Sequence, residues 1–143
     1  MEIKTSKITK SVSLPGTTIE NIDRFKALEE LDFSSKVDVM TSDYMAIYKH
    51  SLREVGPIFD QDEIEILINA CNMLILHTDE LSPAILIHNA VVLYDNYFEA
   101  SVTEEFQDKI LHLTTAQSFA VLRVIQSYWI DKDYSRLELI MKK

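Results

Sequence analysis

The sequence predicts a mainly α fold, in which one short strand and two helices at the N-terminus precede a small bundle of four to five helices. Three observations lead there. The only breakers are Gly16, Gly56, Pro15, Pro57 and Pro83, too few for a many-turned β fold. Apolar residues recur at helical spacing along most of the chain. Hydrophobic residues at 47% and charged residues at 26% give the balance of a folded chain rather than a disordered one.

The elements follow in order. In Ile8 to Leu14, Ile8, Val12 and Leu14 fall on one side and Thr9, Ser11 and Ser13 on the other, a strand pattern stopped by Pro15-Gly16. Ile19, Ile22, Phe25, Leu28 and Leu31 then recur every three residues, with Thr17 or Thr18 as N-cap. After the polar break Asp32-Phe33-Ser34-Ser35, Ser34 or Ser35 can cap a second helix. Its broad apolar stripe is Val37, Met40, Tyr44, Ile47, Tyr48 and Leu52, and Gly56-Pro57 ends it. Asp60-Gln61-Asp62-Glu63 reads as a capping box opening a helix to about His77, with Ile64, Leu67, Ile68, Cys71, Leu74 and Ile75 buried. Ser82-Pro83 starts the next helix, which runs to about Ala100. Thr103 opens one to about His112, Thr115 caps one carrying Phe119, Leu122, Val124, Ile125, Tyr128 and Trp129, and a short helix spans Tyr134 to Met141. Tyr44, Tyr48, Tyr94, Tyr97, Phe98, Tyr128 and Trp129 are expected in the core; if exposed, Tyr128 and Trp129 make interface anchors.

Charge is unevenly placed. Of the net −9, residues 55–143 carry −8 and residues 1–54 only −1, while the first fourteen residues are +2. Overall acidity argues against non-specific nucleic-acid affinity and leaves room for a local basic edge. No apolar run reaches the roughly 20 residues a membrane helix needs. The N-terminus has lysines but no apolar core, so it does not read as a secretory signal. Cys71 has no second cysteine to pair with, and a cytoplasmic setting is expected.

The stretch KSVSLPGTTIENIDRF resembles the opening of ribbon-helix-helix DNA-binding proteins, the fold of the Arc and methionine repressors. Leu14-Pro15 followed by Ile19, Ile22-Asp23 and Phe25 matches the family's strand-to-helix step. Phe33-Ser34-Ser35 stands where its second helix opens. The resemblance implies a homodimer whose paired strands enter the major groove. Leu14, Val12 and Lys10 would face inward, and Thr9, Ser11 and Ser13 would meet base edges. Lys4, Lys7 and Lys10 would attract phosphate, and the N–H groups near Ser34, Ser35 and Lys36 would clamp one. Residues 58–129 also resemble a group of uncharacterised bacterial proteins through Phe59 to Glu63, Ala70 to Asn72, and Leu113 to Gln117 leading to Tyr128-Trp129.

Residues 1–54 are therefore expected to form a ribbon-helix-helix module for dimerisation and DNA binding. Residues 55–143 are expected to form an acidic all-α domain for oligomerisation or for a protein or small-molecule effector. The leading expectation is a homodimeric transcriptional regulator. The alternative is a protein–protein interaction module without DNA binding, antitoxin-like or an acidic inhibitor; a purely structural dimerisation unit is the third. Nothing points to an enzyme, a metal or a cofactor. His50, His77, His88 and His112 show no His-x-x-x-His or Glu-x-x-His spacing, and Cys-x-x-Cys is absent. Asp108 and His112 share a helix face, where a surface hydrogen bond is expected. Two glycines leave no phosphate-cradling loop.

Overall fold

The computed structural model describes residues 13–24, 30–73 and 82–141. Two compact units divide the chain, Met1–Ser42 and Asp43–Lys143. The division falls inside a long helix, whereas the sequence places a boundary after residue 54.

In the first unit, α1 spans Gly16–Asp23 with Pro15 at the N-cap position, and the Pro15 carbonyl accepts from Thr18 and Ile19 N–H. Thr17 and Thr18 lie inside the helix instead of capping it, and no side chain caps this helix. Helix α2, Phe33–Val55, begins in this unit. Its first turn is held by Asp32, not by a serine: the Asp32 carboxylate accepts from Ser35 N–H at 2.8 Å. No apolar side chain described in this unit is buried; Leu14, Ile19, Leu31, Phe33 and Val37 are all exposed.

The ribbon-helix-helix expectation is corrected here. The described residues contain no strand. Ser13 and Leu14 are non-strand, and residues 8–12 of the expected strand lie outside the described residues. A lone strand leaves its N–H and C=O groups unpaired, so the alternating pattern needs a partner strand before it specifies a ribbon. The mainly α class stands.

The second unit begins at Asp43 in α2 and holds the core. Helix α3, Gln61–Ala70, opens with the expected capping box: Asp60 Oδ1 accepts from Glu63 N–H at 2.8 Å, and Glu63 Oε1 accepts from Asp60 N–H at 2.9 Å. A 3-10 turn, Cys71–Met73, follows. Helix α4, Pro83–Phe98, carries Ser82 as cap and proline in its first turn. Helix α5 is Glu104–Leu111 with Thr103 as cap. Helix α6, Thr115–Gln126, is capped by Thr114, one residue before the expected cap, because Gln117 completes a capping box with Thr114. One π turn, Ser127–Asp131, and the short α7, Glu138–Met141, close the unit.

Helix α4 packs against α3, α5 and α6. Leu52, Val55, Phe59, Ile64, Leu67, Ile87, Val91, Phe106, Ile110, Val121, Ile125 and Ile140 are almost wholly buried in one cluster. Phe59 and Phe106 meet edge to face, with ring centroids 5.8 Å apart. Gly56 has a packing reason, since a Cβ there would sit 3.1 Å from the Leu139 carbonyl oxygen. Trp129 ties the π turn to α3 by donating from Nε1 to the Ile68 carbonyl at 2.8 Å. Among the described residues, no helix is long and apolar enough to cross a membrane.

Candidate protein-binding groove

The expected DNA-reading residues are placed only in part. Lys4, Lys7, Thr9, Lys10 and Ser11 lie outside the described residues, and Ser13 is exposed just before α1. Ser34, Ser35 and Lys36 share the first turn of α2, as expected. The Ser35 N–H is already taken by the Asp32 carboxylate, and the Lys36 N–H by the Asp32 carbonyl at 2.9 Å. The Lys36 side chain is 7% exposed and its Nζ donates to the Asp23 carbonyl at 3.4 Å. A cation at the C-terminal end of α1 complements that helix's dipole.

The chemical groups elsewhere have ordinary partners. His112 Nδ1 lies 2.7 Å from the backbone carbonyl of Asp108, so the expected pair forms through main chain and not through the carboxylate. His88 Nε2 sits 3.1 Å from Gln107 Oε1, and exposed His50 faces Glu54 at 3.6 Å. Cys71 is buried, and burial pushes its thiol up to about 12, away from a reactive thiolate at neutral pH. The described residues contain no group of three or more His, Cys, Asp or Glu side chains placed to hold a metal ion.

What stands out is the outer side of α4. An open groove of about 750 Å³ is lined by Leu86, Ala90, Leu93, Tyr94, Tyr97 and Phe98 of α4 together with Asn89, and by Asn69, Ala70 and Asn72. Three of these apolar side chains are largely in solvent: Leu93 at 57%, Tyr97 at 76% and Phe98 at 70%. The core expectation for Tyr97 and Phe98 is therefore corrected. Helix α4 buries Ala84, Ile87 and Val91 on its core side, which leaves Leu86, Ala90, Leu93 and Tyr97 on another. Their spacing of four, three and four residues makes a second apolar stripe along one helix. That spacing was the available signal, but it does not say which stripe meets the core. Tyr94 and Phe98 meet with their ring planes tilted by 36° and centroids 4.8 Å apart. The helix then stops at Glu99, in the left-handed region at φ 50°, whose N–H bonds to the Asp95 carbonyl.

The groove lining has no charged side chain, yet its surroundings are acidic. From Glu54 to Asp108 the chain contains no Lys or Arg and twelve Asp or Glu. Asp62 and Glu65 are exposed on α3, two turns and one turn before Asn69, and Glu99 is exposed beside Phe98. The groove thus combines apolar side chains and asparagine amides in its lining with exposed carboxylates close by in the chain. The chain matches no model of a known protein family, no curated protein and no solved structure. Neither resemblance drawn from the sequence gains support from these comparisons.

Proposed function

We propose that this chain is a protein–protein interaction module whose α3–α4 groove receives a basic amphipathic helix from a partner protein. The observation that carries the reading is the row Leu93, Tyr97 and Phe98, exposed on one helix inside a stretch without a single Lys or Arg. Exposed apolar patches of this kind favour burial by a partner, and aromatic anchors supply much of the energy at such contacts. Acidic rims attract a cationic helix and speed its encounter. The asparagine amides at Asn69, Asn72 and Asn89 offer both donors and acceptors to the partner's polar edge.

The regulator reading is not carried forward, because its ribbon has no counterpart among the described residues and Lys36 is turned to Asp23. A cytoplasmic setting fits the module, whose one cysteine is unpaired and buried.

The test uses a labelled Leu/Lys amphipathic peptide followed by fluorescence anisotropy. Leu93→Glu is expected to weaken binding by about tenfold, the scale of losing one good anchor. The sign is informative, since an added carboxylate strengthens any purely electrostatic association with a cationic peptide. Equal or tighter binding by Leu93→Glu would remove the groove from consideration. Retention on heparin at low salt would return the DNA reading, and a dimer that Leu93→Glu dissolves would assign the groove to a second copy.

A further inference from the structure

Among the described residues, two aromatic rings carry a cation supplied by the chain itself. The guanidinium carbon of Arg123 lies 5.7 Å from the Phe119 ring centroid, and that of Arg136 lies 5.5 Å from the Tyr48 centroid. The aromatic residues of the α3–α4 groove have no such cover among the described residues. Tyr94, Tyr97 and Phe98 line it together, at spacings of three and four residues that put them on one side of α4. Tyr97 and Phe98 are largely in solvent, and the tilted contact of Phe98 with Tyr94 leaves two ring faces at an angle. No Lys or Arg lies between Glu54 and Asp108, and the next one along, Lys109, has its ammonium held by Glu63 at 2.8 Å.

The faces of such rings are electron-rich and attract a cation within about 6 Å of their centroids. Glu99 follows Phe98 directly and is exposed, so a carboxylate stands at the same end of the helix. Its main chain is held there by the bond from its N–H to the Asp95 carbonyl at 2.8 Å. The helix dipole adds to the pull, since α4 ends here with no basic residue in its last turn. What this end lacks is a positive charge on an apolar stem. Of the two basic side chains, arginine fits better. Its flat guanidinium stacks on aromatic faces, keeps N–H groups at its edge for a carboxylate, and is more weakly hydrated than an ammonium.

We propose that the aromatic end of the α3–α4 groove binds an arginine side chain of the partner, its guanidinium on Tyr97 and Phe98 and its edge toward Glu99. This assignment rests on the groove reading above and names the residue type that the basic partner places there.

The probes are two labelled amphipathic peptides, one with leucine and arginine and one with leucine and lysine at the same positions, so that charge is equal. Anisotropy titrations into the full chain should give about threefold tighter binding for the arginine peptide. Tyr97→Leu with Phe98→Leu keeps apolar side chains at two exposed positions, so the fold persists, and the two peptides should then bind equally. Tyr97→Phe keeps the ring and retains the preference. Glu99→Gln should weaken both peptides and leave part of the preference, the part due to the rings. Equal affinity of the two peptides for the unaltered chain, or a preference that survives the double leucine variant, overturns the arginine assignment. If Leu93→Glu still weakens both peptides in that case, the groove reading stands without it; if neither peptide binds, both fall.

Discussion

The contact that joins α3 to α5 gives a prediction whose size follows from the geometry. Lys109 Nζ donates to Glu63 Oε1 at 2.8 Å, with the side chains 28% and 11% exposed. The same oxygen accepts from Asp60 N–H at 2.9 Å, so one carboxylate both caps α3 and holds α5. Glu63→Gln preserves an acceptor for the cap and removes the charge facing Lys109. A charge-assisted hydrogen bond contributes about 1.5–3 kcal/mol when well buried, and partial exposure of Lys109 reduces this to about 1–2 kcal/mol. For a chain of this size the melting temperature should fall by roughly 2–8 °C. Urea unfolding followed by Trp129 fluorescence, in a double-mutant cycle with Lys109→Met, isolates the pair. The hydrogen bond that Lys109 donates to Glu63 raises the Lys109 pKa, burial opposes it, and the charges of Glu63, Glu105 and Asp60 raise it further. A raised lysine stabilises the fold fully below its unfolded value of about 10.4, and that contribution fades as pH rises through the folded value. The gap between wild type and Glu63→Gln should therefore hold near neutrality and close at strongly alkaline pH. A coupling energy below about 0.3 kcal/mol, within the ordinary error of additivity, would refute the reasoning.

Two further outcomes follow from buried groups. Trp129→Phe keeps the ring packing and leaves the Ile68 carbonyl without its indole donor, so stability should fall by about 1–2 kcal/mol in thermal melts; an unchanged melt would mean that the 2.8 Å bond is replaced by water at no cost. Alkali should unfold the chain through Cys71 and Tyr48, both raised to about 12 chiefly by burial. Each is protonated in the fold while the unfolded chain ionises near 9 and 10, so stability is intact below pH 9 and lost from there towards 12. For Cys71 alone the loss approaches about 4 kcal/mol. Stability in Cys71→Ala that falls just as steeply between pH 9 and 10 would assign the alkaline loss elsewhere.

The legible parts of this fold were those decided within a few residues. Asp60 to Glu63, Ser82-Pro83 and Thr103 each specify a helix start by placing an acceptor three residues before an N–H, and no distant partner is needed. The start of α2 misled because Asp32 is an equally good capping residue, and its carboxylate accepts from the Ser35 N–H, starting the helix before either serine could cap it. The N-terminal expectation failed for a deeper reason. Alternation over Ile8 to Leu14 describes one face of a strand, but only a second strand turns it into structure, and a single chain's sequence cannot supply that partner.

The candidate groove was hidden by a different degeneracy. Ile87 and Val91 on one side of α4, and Leu86, Ala90, Leu93 and Tyr97 on another, are equally good core stripes by periodicity. Packing against α3, α5 and α6 buries the first and takes Ala90 of the second. The remaining stripe could have been covered by a further helix of this chain, yet Leu93, Tyr97 and Phe98 stay largely in solvent. Scattered apolar residues are normal on a surface, but a stripe at fixed helical spacing is not scatter. Its neighbours sharpen the point: twelve Asp or Glu without one Lys or Arg from Glu54 to Asp108 would repel another acidic surface and draw in a basic one. The proposed contact therefore rests on two independent features, the spacing of the second α4 stripe and the charge of the segment that carries it.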